Sequence, residues 1–151
     1  MSTFMFGGSG LQLDIGAKNA TGATVNAGDI LAIDASLVGA DGGFDAIIPL
    51  HTTSAHLVNI HGVVIGSSTK SSFTNGEEIL LRVVGLIDAK VVNGIGVGDA
   101  LAIADGSDAL AAAAAFATPP AVTDIILGVA HAANASGGDL VVACFINGMT
   151  R

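Results

Sequence analysis

Three histidines recur at five-residue intervals, at His51, His56 and His61. Imidazole nitrogens are common metal ligands, so such a spacing has to be tested as a metal site. Side chains alternate between the two faces of a β-strand, so His51 and His61 would share a face while His56 points away. A symmetric trimer could still gather one histidine per subunit around its axis. Ordinary surface or hydrogen-bonded histidines are nevertheless the favoured interpretation, for these three and for His131, and no cofactor or metal is expected.

The acidic and glycine-rich motifs do not match known binding loops. Asp99, Asp105 and Asp108 lie close in sequence, but they lack the alternating oxygen ligands and the distal glutamate of a calcium loop. We expect them to be solvated turn carboxylates, with a weak cation site as the alternative. The stretch GIGVGD (94–99) has a misplaced third glycine, and an apolar strand follows where a dinucleotide-binding loop needs a helix. The sequence contains no Gly-x-Ser-x-Gly nucleophile motif. We therefore expect no catalytic residues and no enzymatic activity.

Charge and composition exclude several classes of partner. The chain carries 13 acidic and 5 basic residues, and its formal net charge of −8 at pH 7 repels nucleic-acid phosphates. The basic residues are scattered and form no patch for an anionic membrane surface. The N-terminus has neither the basic region of a signal peptide nor an apolar stretch that could span a membrane. We expect a protein that is made in a cytoplasm and binds neither nucleic acid nor membranes.

The residues between these motifs predict many short strands. The 151 residues include 21 glycines, 51% are hydrophobic and 12% are charged, a composition typical of strands and turns in one domain. The single cysteine, Cys144, lies in the apolar run LVVACFI and is expected to be a packed thiol.

The Ala-rich segment 108–120 has high helix propensity, but it lies between strand signals and we favour a strand or an irregular crossover. The main strand candidates are FDAIIPL (44–50), LVNIHGVVIG (57–66) and EEILLRVVGLIDAKVV (77–92), the last being one bent strand or two with Gly85 at the bend.

One stretch of sequence occurs twice. GDILAID (28–34) returns as GDALAIA (98–104), and the strand candidates that follow each copy come in the same order. Glycine supplies a backbone that can adopt a positive φ, and the aspartate after it can cap the N–H groups of a turn. The glycines of HGVV and LGVA are expected to allow a bulge or a close backbone approach. The common order favours an internal duplication, of about 25–92 and 93–148, over shared turn chemistry alone.

The predicted fold is therefore all-β. We expect a compact β-barrel, tulip-like or sandwich domain over 25–151, built from two similar halves that close against each other, with an N-terminal arm at 1–24. The arm contains Phe4, Met5, Phe6, Leu11 and Leu13. These apolar residues are candidates for a capsid or inter-subunit contact, and a leader that makes no contact is the alternative.

Several of these stretches together resemble a known family. The Gly-Asp strand entry, the strand GEEILLRVVGLIDAKV, the second GDALAIA and the C-terminal ILGVAHAANASGGDLVVACFI resemble the small capsid decoration (cement) proteins of tailed bacteriophages. The resemblance covers roughly 24–148. It implies a homotrimer that binds the major capsid protein on the outer surface of the virion, at three-fold or quasi-three-fold positions, and braces the head lattice. That family has no catalytic residues.

Two other functions remain open from the sequence. A trimeric tail-spike or fibre module would share the acidic, glycine-rich composition, although the chain has no Trp or Tyr on which a sugar could stack. A small trimeric β-barrel nucleotide hydrolase would need a carboxylate and a water molecule across subunits. Asp88 is the one residue that resembles part of such a site. The sequence has no tyrosine on which a nucleotide base could stack and no basic cluster that could bind its phosphates.

Overall fold

The computed structural model describes residues 12–38, 43–48, 60–92, 94–103, 108–112, 125–133 and 140–150. Every regular element in these ranges is a β-strand, which confirms the predicted all-β class. Within the same ranges, no helix has the length and apolar character needed to cross a membrane. The strands are β1 (Leu13–Asn19), β2 (Val25–Asn26), β3 (Ile30–Val38), β4 (Phe44–Ile47), β5 (Ile60–Val64), β6 (Ser72–Phe73), β7 (Glu78–Lys90), β8 (Ala100–Ile103), β9 (Leu110–Ala112), β10 (Ile125–Ala130) and β11 (Leu140–Thr150).

Strands of the first half pair in a closed cycle, which we call ring 1. Strand β1 pairs in parallel with β4, and β4 pairs antiparallel with β3. Strand β3 then pairs with β5, β5 pairs with the first part of β7, and β7 returns to pair with β1, all antiparallel. Because the last pairing meets the first strand again, ring 1 has no free edge between these strands.

Strands of the second half repeat that cycle as ring 2. The second part of β7 pairs with β11, β11 with β10, β10 with β8, and β8 with β9, all antiparallel. Val91, directly after β7, forms a parallel bridge to Leu110 of β9, and the Val92 N–H donates to the Leu110 carbonyl at 2.9 Å. Ring 2 thus contains the same sequence of pairings as ring 1, including one parallel contact.

Strand β7 belongs to both rings. Its first part pairs with β1 and β5, and the part from Gly85 to Lys90 pairs with β11. Gly85 lies where the strand changes partners. Its φ is 120°, a backbone conformation that residues other than glycine rarely adopt. The sequence left open whether this stretch forms one bent strand or two. It forms one continuous strand of 13 residues.

The repeated Gly-Asp dipeptide forms the same turn in both rings. Gly28 and Gly98 have φ values of 95° and 87°. Each following aspartate caps its turn as predicted: an Oδ2 atom accepts the backbone N–H three residues earlier, at 2.7 Å in both copies. The backbone bonds around the turns also correspond, since the glycine N–H groups donate to the carbonyls of Val64 and Ala130 at the ends of β5 and β10.

The apolar core has two parts, which share strands of ring 1. One cluster lies within ring 1 and includes Leu31, Val64 and Leu81. The other contains the buried residues of ring 2, but Ile30 and Val63 of ring 1 also belong to it. Adjacent residues of a strand face opposite sides, so β3 and β5 supply one face to each cluster. The two rings are therefore packed against each other as well as joined by β7.

Several local predictions can be compared with these elements. Strand β1 lies within 1–24, the predicted arm, and its pairing with β4 and β7 brings that part of the segment into ring 1. The Ala-rich segment contains β9, whereas 113–120 lies outside the described residues. The glycine of LGVA lies at a register shift between Ile126 and Gly128, which confirms the predicted bulge. The domain boundaries and the duplication stay predictions.

Gly62 of HGVV provides a direct test of close strand packing. A Cβ atom added at Gly62 would lie 2.7 Å from the Leu81 Cβ, whereas one added at Gly16 would meet nothing within 4 Å. We expect Gly62→Ala to lower the free energy of unfolding by about 1–3 kcal/mol, because the added methyl group forces β5 and β7 apart. Gly16→Ala, also in a strand of ring 1, is the matched control and should leave stability within about 0.5 kcal/mol. Urea denaturation measures both, and equal effects would contradict the packing described here.

Candidate interaction face

The outward face of β7 carries apolar side chains. Along this strand the burial alternates, so that Ile79, Leu81 and Val83 point into the core while the residues between them point outward. Two of these outward residues are large and half exposed: Leu80 at 50% and Leu86 at 49%. A strand that is apolar on both faces is typical of one covered on both sides, yet the outer side of β7 is open in a single copy.

Strand β1 extends this apolar surface across the sheet. In the register of the two strands, Leu13 lies opposite Val84 and Gly16 lies opposite Leu80. Leu13 is 53% exposed, and Val84 is partly buried. We call the set Leu13, Leu80, Val84 and Leu86 the outer stripe. It borders two open grooves, and both grooves are lined by the segment 65–67.

An ion pair lies in the middle of the outer stripe. The Arg82 Nε and Nη2 atoms donate to the two carboxylate oxygens of Asp14, at 2.8 and 3.0 Å. The Arg82 Nη1 atom donates to the Leu86 carbonyl at 2.9 Å. The hydrogen bond to Asp14 is the main cause that raises the pKa of Arg82 above its ordinary value. The Arg82 guanidinium and the Asp14 carboxylate form a bidentate pair whose charges neutralise each other. This pair therefore adds no net charge to the apolar surface of the stripe.

Of the predicted contact residues, the structure describes Leu13. It is exposed on β1 and belongs to the outer stripe. Phe4, Met5, Phe6 and Leu11 lie outside the described residues. Leu80 and Leu86 were not among the contact residues predicted from the sequence. The run EILLRVVGLI does contain the signal, because both alternating sets of residues in it are apolar, but an apolar run without alternation also fits a strand buried on both faces.

The residues considered for chemistry are dispersed. His61 is fully buried in β5, and His131 is exposed in a turn. Asp99 caps its turn and Asp88 is exposed on β7. Among the described residues, no three His, Cys, Asp or Glu side chains are grouped so that they could hold a metal ion. His51, His56 and Asp105 lie outside the described ranges, and Cys144 is described only by its backbone position in β11.

A cluster of charges joins the two rings beside β7. The Lys90 ammonium group lies 2.8 Å from an Asp108 carboxylate oxygen and 3.3 Å from an oxygen of Asp29. Backbone bonds run alongside: the Lys90 N–H donates to the Gly28 carbonyl, and the Ile30 N–H donates to the Asp108 carbonyl. Asp29 and its turn belong to ring 1, whereas Asp108 precedes β9 of ring 2. Asp108 was predicted to be a solvated turn carboxylate, and its ion pair with Lys90 corrects that expectation.

The ionisation of this cluster reflects burial and pairing together. Burial is the largest influence on the Asp29 carboxyl and raises its pKa above the ordinary value of 3.8, aided by the nearby charge of Asp108. The Asn26 N–H and Lys90 act in the opposite direction and do not fully compensate. For Lys90, burial acts to lower the pKa, but the hydrogen bond to Asp108 and the charges of both carboxylates together raise it. Lys90 is therefore held in its charged form.

The fold and this face define an all-β protein made of two rings that share a strand and expose an apolar outer stripe. No protein-family model matches the chain, and no curated protein matches its sequence. Among solved structures, the chain is similar to the crystal structure of the head fiber gp8.5 N base in bacteriophage phi29. The TM-score is 0.51 and the sequence identity 14%, over 93% of this chain and 100% of that chain. This likeness shows a shared fold.

Replacing Lys90 tests whether its ion pairs hold the rings together. Lys90→Met keeps the apolar part of the side chain at nearly the same length but leaves the buried Asp29 carboxylate without its counter-ion. We therefore expect a loss of about 2–4 kcal/mol in the free energy of unfolding. The matched control is Lys70→Met, which breaks the exposed Lys70–Glu77 pair of 2.7 Å and should cost about 1 kcal/mol or less. Urea denaturation at neutral pH compares the two variants. A Lys90→Met cost no larger than that of the control would contradict the role of the cluster.

The raised pKa of Asp29 gives a prediction for pH. The raised pKa means that folded Asp29 binds its proton more tightly than unfolded Asp29. Its contribution to the free energy of unfolding therefore rises as the pH falls through the range at and just above the ordinary pKa of 3.8. Asp29→Asn removes this titration and resembles the protonated carboxyl in being neutral. The stability of the wild type relative to Asp29→Asn should therefore increase between about pH 6 and about pH 4. Chemical denaturation at several pH values measures the difference, and a decrease over that range would refute the assignment.

Proposed function

We propose that this protein is a structural component of a bacteriophage virion that binds the outer surface of the head as a homotrimer and stabilises the capsid lattice. The observation that carries the proposal is the fold, which is shared with a protein described as the N base of a head fiber. The decoration-protein resemblance of the sequence points to the same part of a virion. The expected location is the outer capsid surface, the expected partner is the major capsid protein, and no catalysis is involved.

The surface of the described residues suits such a role. The outer stripe is an apolar surface, crossed by the compensated Asp14–Arg82 pair, that a lone copy leaves in water. Exposed apolar patches on a folded protein are typical of interaction sites. The chain has a net charge of −8, so copies repel each other in general and associate best where charge is compensated. In the stripe, the charges of Asp14 and Arg82 neutralise each other, so two copies can meet there without a net repulsion from this pair.

Stabilisation of a head would follow from mass action. A protein that binds only the assembled lattice stabilises the lattice by an amount that grows with the logarithm of its concentration relative to its Kd. A trimer that touches several coat subunits also gains avidity, because each contact raises the effective concentration of the next. Such a protein needs a rigid body and a fixed contact surface. The two closed rings and their shared strand provide that rigidity.

A second candidate is the anchoring base of a fibre. The structural neighbour is itself named as the base of a head fiber, and the sequence-based alternative of a fibre module agrees with this. Both candidates require attachment to the head, and they differ in whether a further protein or domain is carried outward. Electron microscopy of heads that carry the full chain distinguishes them, because a fibre base leads to a projection whereas a decoration protein lies close to the surface.

Binding to heads tests the proposed function directly. Heads of a phage whose genome carries this chain, prepared without the protein, should bind the purified full-length chain in a saturable manner and resist heat or low salt better afterwards. Co-sedimentation measures the binding, and release of DNA on heating measures the stabilisation. Failure of the folded chain to sediment with such heads would overturn the proposal.

A further inference from the structure

We propose that residues 4–6 of one copy pack on the outer stripe of a neighbouring copy, so that each copy donates one N-terminal segment and receives another. The inference rests on the homotrimer of the proposed function and names the contact that would hold it together. It joins two features that are otherwise unexplained: an apolar surface that nothing in one copy covers within the described residues, and an apolar stretch of sequence that precedes it.

The outer stripe is suited to an apolar segment of chain. Leu13, Leu80 and Leu86 are each about half exposed, and Val84 lies between them on the same face of the sheet. The Asp14–Arg82 pair in the middle is bidentate, so no isolated charge has to lose its water when a segment covers it. The exposed carboxylates Glu78 and Asp88 lie at the two ends of the stripe. Apart from the compensated Asp14–Arg82 pair, the surface between these ends is apolar and its rim is charged, as in typical protein interfaces.

The N-terminal segment has the matching chemistry. The described part of the chain begins at Gln12, and 11 residues precede it. They include Phe4, Met5 and Phe6, side chains of the kind that anchor interfaces. No charged residue occurs in the sequence before Asp14. In a chain with a net charge of −8, this is a stretch that can approach another acidic copy without like-charge repulsion.

The direction of β1 favours a neighbouring copy over the same one. Strands β1 and β7 are antiparallel, with Leu13 opposite Val84 and Asp14 opposite Arg82. The chain before Leu13 therefore leads away from Leu80 and toward the Leu86 end of the stripe. A chain of seven residues, the separation of Phe6 from Leu13, spans at most about 24 Å when extended, which is long enough for residues 4–6 to reach beyond the stripe of their own copy. A contact between different surfaces of identical copies closes into a ring when its rotation is that of a trimer.

Disulfide trapping tests this contact. In a Cys144→Ala background, the double variant Met5→Cys/Leu86→Cys should form covalent dimers and trimers under mild oxidation, seen on a non-reducing denaturing gel. The matched control is Met5→Cys/Val97→Cys, because Val97 is also exposed, at 70%, but lies in the turn before β8, away from the stripe. The control should remain monomeric on the gel. Disulfides confined to single chains, or no disulfides in a protein that is trimeric in solution, would overturn the inference and leave the proposed function standing.

A second measurement keeps Cys144 in place. Replacing Phe4, Met5 and Phe6 together with serine should raise the concentration at which the trimer dissociates by at least about 10-fold, since three anchors leave the interface. Ser2→Ala/Thr3→Ala is the control and should change it by less than about 2-fold. Dilution followed by mass determination gives both values. An unchanged dissociation of the serine variant contradicts the inference, whereas a wild-type chain that is monomeric at every concentration contradicts the trimer of the proposed function as well.

Discussion

The structure depends on one constraint, which is that β7 serves two rings. Strand β7 changes partners along its length. Its first part pairs with β1 and β5 of ring 1, and its second part pairs with β11 of ring 2. The change occurs at Gly85, whose positive φ allows the strand to turn from one ring to the next without ending. Because one continuous strand supplies residues to both rings, the position of one ring is tied to that of the other.

The remaining contacts between the rings support the shared strand. Ile30 and Val63 pack into the core of ring 2 although they lie on strands of ring 1. Lys90, at the end of β7, places a partly buried charge between a carboxylate from each ring. Such a cluster is costly to desolvate and is tolerated because both carboxylates stay close to the ammonium group. The outer face of β7 carries Leu80, Val84 and Leu86, which form most of the outer stripe.

Much of this fold could be predicted from the sequence because its signals are local. The turns at Gly28 and Gly98, the caps by Asp29 and Asp99 and the bulge at Gly128 follow from the conformations that glycine and aspartate allow. The Lys90 cluster has no such signal, because its members are joined only by the pairing of distant strands. The outer stripe could not be separated from the core for a related reason: an apolar run in β7 shows that both faces are apolar, but not which face a single copy leaves in water.

The central claim is that this chain works as a trimer attached to a virion, and its mass in solution tests the first half of that claim most directly. Light scattering of the full-length protein over a wide range of concentrations should give a mass of three chains that does not change on dilution through the micromolar range. That result would give a partner to the leucine-rich face of a chain whose mean hydropathy is +0.71. A stable monomer at all concentrations would contradict the account, because the outer stripe would then be exposed without a partner.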